Sequence, residues 1–257
     1  MRPRPLGTLN CSRVSSAPPW QNPAPNVKRR RSLPPPPAGF RARRRILSID
    51  AEGRANEATQ IASPNCDDRP NDTPISMLVV HGISLPPAKF GGDGIERLFT
   101  NRLDPAAHPY FATVATLRVS AHFLVRRDGT LVQFVPCARR AWHAGESAWH
   151  ERPRCNDFSV GIELEGTDEV RYTAAQYAML TRLVRALCAR YPITDIVGHR
   201  DIAPGRKTDP GDAFDWSRLA RKVRARLPGR LPAPRSPASR RANATGLPRH
   251  PRSRIEV

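Results

Sequence analysis

The sequence predicts an α+β (mixed α/β) protein in which a central mixed β-sheet is flanked by helices. Three observations predict it. Met77-Leu78-Val79-Val80 is a run of large apolar and β-branched residues that reads as a buried strand. Between positions 119 and 135 two apolar runs flank Arg127-Asp128-Gly129-Thr130, and Asp-Gly between such runs is a strong hairpin signal, so at least one strand pair is antiparallel. Thr173-Ala174-Ala175-Gln176 has the form of a capping box, and Tyr177, Leu180, Leu183, Val184, Leu187 and Tyr191 follow at helical spacing. Strands interspersed with helices in this way suggest one sheet with helices on its faces.

The elements follow in order. An irregular segment leads through 63–70 into the first strand at about 75–82. Gly91-Gly92-Asp93 precedes a short helix over 94–100, with Ile95, Leu98 and Phe99 facing inward and Asp93 placed to cap it. The hairpin comes next, then a strand over 159–165 and the capped helix to about Tyr191. Ile196 and Val197 make a last short strand running into His199. The stretch 198–211, rich in Pro and Gly, reads as an irregular loop, and 214–227 as a basic terminal helix.

Charge divides the chain unevenly. Of 42 basic and 23 acidic residues, 11 and none fall in 1–45 and 12 and one in 218–257, leaving 19 and 22 between them. Both ends are rich in proline and poor in large apolar side chains, too little to offset the entropy of ordering. The expected organisation is therefore a disordered Arg/Pro-rich extension at 1–47, a folded domain at 48–227 and a disordered Arg/Pro-rich tail at 228–257. Basic arms can hold nucleic acid, but only Trp20 and Phe40 are available for base stacking in the first of them, so nucleic-acid binding is not expected. No stretch approaches the ~20 apolar residues of a membrane span, and the N-terminus has no apolar core for a secretory signal, so no membrane insertion is expected. The five cysteines (11, 66, 137, 155 and 188) are odd in number and form no C-x-x-C pair, which favours free thiols in a reducing compartment.

The chemistry-bearing residues lie at the ends of these elements. The first strand ends in His81, and strand ends hold ligands rigidly. Gly198-His199-Arg200-Asp201 to Gly211 contains His199 and, ten positions later, Asp209; only a folded loop could aim both at one point. Two imidazoles and a carboxylate suit zinc and leave its fourth position open, as a catalytic centre requires. On the strand 159–165, Glu163 and Glu165 share a face, and alternation cannot choose between them as a general base. His108 and His122 are expected to be packed or hydrogen-bonded residues, not ligands.

Val79-Val80-His81-Gly82-Ile83-Ser84-Leu85-Pro86-Pro87, Ser120-Ala121-His122, Ala141-Trp142-His143-Ala144-Gly145, 156–166 and 198–211 occur in the order and approximate spacing of the AmpD family. That family comprises cytoplasmic zinc amidases that cut N-acetylmuramoyl-L-alanine bonds in peptidoglycan fragments. The resemblance runs from about Ser48 to Leu227. It implies one zinc per chain on His81, His199 and Asp209, the catalytic acid/base on Glu163, a second catalytic position at Lys207, and a structural role for Glu165. It further implies that Trp142 and His143 line the substrate groove and that Arg118 and Arg154 receive stem-peptide carboxylates, a task suited to a guanidinium fork. The implied partner is a muropeptide, the implied location the bacterial cytoplasm, and the expected state a monomer. Gly82 departs from the asparagine common after the first histidine. The competing reading is a peptidoglycan-fragment recognition module that binds without cutting; such relatives lack a complete ligand set, whereas this chain has His81, His199 and Asp209 together with Glu163 and Lys207.

Overall fold

A computed structural model of the chain describes residues 46–223. The Arg/Pro-rich ends expected to be disordered lie outside them except for Ile46 and Leu47, and Leu47 is buried in the main core, so the folded part begins before the expected boundary at 48. Within the described residues the elements are β1 (Thr59–Gln60), β2 (Cys66–Asp68), β3 (Met77–Ile83), α1 (Gly94–Phe99), α2 (Pro109–Val114), β4 (Phe123–Val125), β5 (Leu131–Gln133), β6 (Arg139–Ala141), β7 (Ala148–Trp149), β8 (Arg152–Pro153), a 3-10 turn at Cys155–Asp157, β9 (Ser159–Glu165), α3 (Ala174–Arg190), β10 (Asp195–Gly198), α4 (His199–Ile202) and α5 (Trp216–Val223).

Six strands form one mixed sheet in the order β1-β5-β4-β9-β3-β10. Only β4 and β5, the expected hairpin, run antiparallel in it; β1 with β5, β4 with β9, β9 with β3 and β3 with β10 are parallel. Strands β3 and β9 lie at the centre and are covered on both faces, which is why they read as continuous apolar runs and not as alternating ones. Their even-numbered residues Leu78, Val80, Val160, Ile162 and Leu164 pack with Tyr177, Leu180, Leu183, Val184 and Leu187 of α3 in one core. On the opposite face Met77 and Val79 meet Ala144, Phe158, Val197 and Ile202. The period-2 geometry of a strand then aims His81, Gly161 and Glu163 at that second face, away from α3.

The capping box forms as the sequence predicts: Gln176 N donates to Thr173 Oγ1 at 3.1 Å and Thr173 N to Gln176 Oε1 at 3.0 Å. Gln176 Nε2 also donates to the carbonyls of Val125 (3.2 Å) and Glu165 (2.9 Å), fastening the start of α3 to the ends of β4 and β9. Burying a leucine such as Leu180 or Leu183 contributes about 1.5–3 kcal/mol. Ile95, Leu98 and Phe99 of α1 face a third core that includes Leu85, Phe111, Leu124 and Phe134.

Several expectations need correction. Asp93 precedes α1 but makes no side-chain cap bond; its carboxylate instead takes Arg97 Nε at 2.7 Å, one turn on. The segment after Gly198 is not wholly irregular, because His199–Ile202 forms one helical turn. Helix α2 was not expected; Pro109 at its first turn and the His108 ring, which accepts Tyr110 N at 3.1 Å, set its start. The terminal helix begins at Trp216, not Phe214, because Phe214 turns into the core against the rings of Tyr172, Tyr177 and Trp216. Cys66, Cys137, Cys155 and Cys188 are free. Among the described residues no helix is long and apolar enough to cross a membrane.

Candidate metal centre

Parallel pairing of β3 and β9 puts His81 directly opposite Glu163. Parallel pairing of β3 and β10 ends at Gly198, so the next residue, His199, leaves the sheet beside His81. The chain then returns through a loop whose backbone is tied at both sides: Arg200 N donates to the Asp209 carbonyl at 3.0 Å, and the Tyr172 hydroxyl donates to the Pro210 carbonyl at 3.0 Å. Asp209 is thereby carried back to the two imidazoles. His81 Nδ1 lies 3.0 Å from His199 Nδ1, and Asp209 Oδ2 lies 3.4 Å and 3.3 Å from these two nitrogens.

The donor atoms of His81, His199 and Asp209 all lie within 4.8 Å of one another. Two imidazole nitrogens and one carboxylate oxygen, all converging, fit a zinc ion with a position left for a reacting group. The electrostatics agree. Burial, with His199 beside it, pushes the His81 imidazole down to about 4, so it is neutral at pH 7 and its lone pair is available. Burial opposes the charge of Asp209, but His199 and His81 outweigh it and hold the carboxyl well below its usual range.

Glu163 is buried beside this cluster, and burial together with Asp209 pushes its carboxyl well above the ordinary range, Lys207 partly opposing. Its Oε2 has no hydrogen-bond partner among the described residues. Glu165, on the same strand face, is engaged elsewhere: it accepts Gly91 N at 2.6 Å and Arg127 N at 3.1 Å, and Arg126 lies 3.5 Å away. The structure therefore separates two carboxylates that alternation alone could not.

A cleft opens on the cluster. His81, Glu163, His199, Lys207 and Asp209 line it together with Phe99, Val119, Ser120, Trp142 and His143. Trp142 Nε1 donates to Asp67 Oδ1 at 3.1 Å, which fixes its ring. His143 stands against His81, its Nδ1 3.0 Å from His81 Nε2. Arg118 and Arg154 are not brought into the wall. Arg118 is exposed and donates to the carbonyls of Thr116 and Leu117 at 3.2 and 3.4 Å; Arg154 is exposed and pairs with Asp157 at 3.1 Å. His122 is fully buried, accepting Gly161 N at 3.0 Å. At Gly82, a Cβ would meet the Tyr172 hydroxyl at 2.4 Å, so the close approach of that ring suits the glycine found here. Phe99 and Ser120 were read only as a helix core position and part of a motif, and Val119 as the start of an apolar run; nothing local marks such residues as cavity lining before the fold is known.

A family model described as N-acetylmuramoyl-L-alanine amidase matches residues 71–212. The chain is 59% identical over 170 residues to the 1,6-anhydro-N-acetylmuramyl-L-alanine amidase AmpD of Citrobacter freundii, covering 65% of this chain and 91% of that protein. It is 49% identical over 184 residues to the enzyme of the same name from Haemophilus influenzae, covering 70% of this chain and all of that one, 100%. A crystal structure of a selenomethionine derivative of AmpD superposes with a TM-score of 0.67 at 57% identity, covering 69% of this chain and 99% of that chain. With the mixed sheet and the converging donors in place, these likenesses mean that the chain belongs to the N-acetylmuramoyl-L-alanine amidase family, in its AmpD group.

Proposed function

We infer that this protein hydrolyses the amide bond between N-acetylmuramic acid, in its 1,6-anhydro form or not, and L-alanine in muropeptides, as an enzyme of peptidoglycan recycling. The observation that carries the reading is the convergence of His81, His199 and Asp209 beside the buried Glu163 at the floor of one cavity, in a chain that aligns with AmpD amidases over most of their length. One zinc ion per chain is part of it, and the active domain is assigned to 48–227. A cytoplasmic monomer is the setting in which we place it.

His81, His199 and Asp209 would hold the zinc ion, which would supply Lewis acidity toward the scissile carbonyl and lower the pKa of water to about 7. The rest falls to side chains. Glu163, its proton affinity raised by burial and by Asp209, takes a proton from the attacking water and returns it to the departing alanine nitrogen. Water oxygen bonds to the carbonyl carbon, the C–N bond breaks, and the products are a lactyl carboxylate and a free peptide amine. Lys207 lines the same cavity, and its ammonium is assigned to stabilising the oxyanion that develops on the carbonyl. Trp142 and His143 offer the wall to sugar and stem, and Arg118 and Arg154 receive stem carboxylates from the surface.

The test is to incubate zinc-loaded full-length protein with an anhydromuramyl tripeptide and follow released peptide by mass spectrometry, beside Glu163→Ala. Release by the parent and about 10²–10⁴-fold less by the variant is expected. A parent that binds the muropeptide and leaves it intact would be a recognition module instead.

A further inference from the structure

We propose that His143 is a positioning residue for the metal centre, the first link of a one-way hydrogen-bond chain that runs from His81 through His143 and Ser159 to the carbonyl of Cys155. The proposal rests on the metal-centre reading above and adds residues to it that touch neither ion nor substrate bond.

The chain is worked out from atoms. A ligating imidazole needs a bare nitrogen toward the ion and carries its proton on the other. His81 points Nδ1 at His199 and Asp209, so its proton belongs on Nε2, and the partner there is His143 Nδ1 at 3.0 Å. To accept, His143 must keep its own proton on Nε2, which lies 3.2 Å from Ser159 Oγ. Ser159 in turn donates to the Cys155 carbonyl at 2.6 Å. A backbone carbonyl only accepts, so the sequence of donors and acceptors cannot be reversed, and the bare nitrogen of His81 is held facing the site.

The surrounding geometry serves the same end. His199 Nε2 lies 3.4 Å from the Ala144 carbonyl, so adjacent residues orient both ligating histidines. Asn156 Oδ1 accepts the backbone N–H groups of His143 at 3.1 Å and Ala144 at 2.9 Å, pinning that segment. The His143 ring lies so close over β9 that a Cβ at Gly161 would come within 2.4 Å of its Cγ. Glycine at 161 is thus the space in which His143 reaches His81.

The experiment compares full-length parent, His143→Ala, His143→Gln and Ser159→Ala. Zinc affinity is measured by competition with a chromophoric chelator, the visible spectrum of the cobalt-substituted protein is recorded, and the metal-free melting temperature is taken alongside. Loss of a ligand's outer partner typically weakens metal binding about 10–100-fold, so His143→Ala is expected to fall in that range with a changed cobalt spectrum. His143→Gln, which can accept and donate at once, is expected to recover part of the loss. Ser159→Ala keeps the ring and is expected to weaken zinc by a smaller factor, which tests the chain even if His143→Ala does not fold. Parental zinc affinity in both His143→Ala and Ser159→Ala, with only a raised KM for muropeptide, would overturn the proposal and leave His143 as cavity lining alone. Parental affinity with only a lower metal-free melting temperature would overturn it in favour of plain packing. A parent that binds no zinc would overturn the metal centre itself, an outcome distinct from these.

Discussion

Replacing Glu163 with glutamine preserves the side chain's volume and removes its ability to take a proton. Glu163 is 8% exposed as a residue, and its Oε2 has no hydrogen-bond partner among the described residues, so the exchange sacrifices no bond at that atom. Positioned proton transfer is worth about 10²–10⁴-fold, which at ~1.36 kcal/mol per decade is about 2.7–5.4 kcal/mol of transition-state stabilisation. We expect kcat on an anhydromuramyl peptide to fall by that factor while zinc content, read by elemental mass spectrometry, stays at parental level. Stability should move the other way. Burial raises the Glu163 carboxyl, so the metal-free folded state binds that proton more tightly than the unfolded chain does. Below the ordinary glutamate value of about 4.3 both states are protonated and the variant gains nothing. As pH climbs from there through the raised value, the parent loses stability that the glutamine variant keeps. Thermal melts of chelator-treated protein across this window should show the gap open with rising pH. A kcat within about tenfold of the parent would refute the acid/base role, and loss of zinc along with activity would make Glu163 a ligand instead.

Other outcomes follow from the same structure. Chelation should lower the melting temperature and added zinc restore it, since an ion at a hundred times its Kd stabilises by about 2.7 kcal/mol; Asp209→Asn should abolish most of that response in a fluorescence-monitored melt. Glu165→Ala orphans the N–H groups of Gly91 and Arg127 and leaves Arg126, among the described residues, its ion pair with Glu96. Because Gly91 is exposed and Arg127 half-buried, it should cost about 0.5–1.5 kcal/mol per lost hydrogen bond in urea unfolding while zinc still binds one to one, and loss of zinc would show that this carboxylate belongs to the centre after all. Leu183→Ala, fully buried between α3 and the sheet, should cost about 2–5 kcal/mol by the same assay, with kcat little changed.

The strand that delivers His81, the Asp-Gly hairpin and the capped helix were all legible because each is announced by neighbours in the chain: a run of branched side chains, a turn dipeptide, a Thr and a Gln three apart. The two-residue strands β1, β7 and β8 and the single turn α4 were not. Elements so short have no period to display, and a lone helical turn does not repay its own nucleation; the β10 end and the loop at Asp209 hold it in place. Nor could any local pattern assign Glu163 and Glu165. They share a strand face, and what separates them is that Gly91, Arg126 and Arg127 crowd one while the cavity opens over the other. His143 looked from its motif like groove wall, and its bond to His81 depends on a glycine on another strand.

By itself the sequence determined which residue types were on hand for chemistry and which segments would be strand or helix, because those follow from side-chain periodicity and turn stereochemistry over a few residues. Only the tertiary structure decided that imidazoles 118 positions apart share a point, which carboxylate faces it, and which nitrogen of His81 is turned inward. Those are consequences of strand register and of hydrogen bonds between distant segments, and register is set by the packing of the whole sheet on α3.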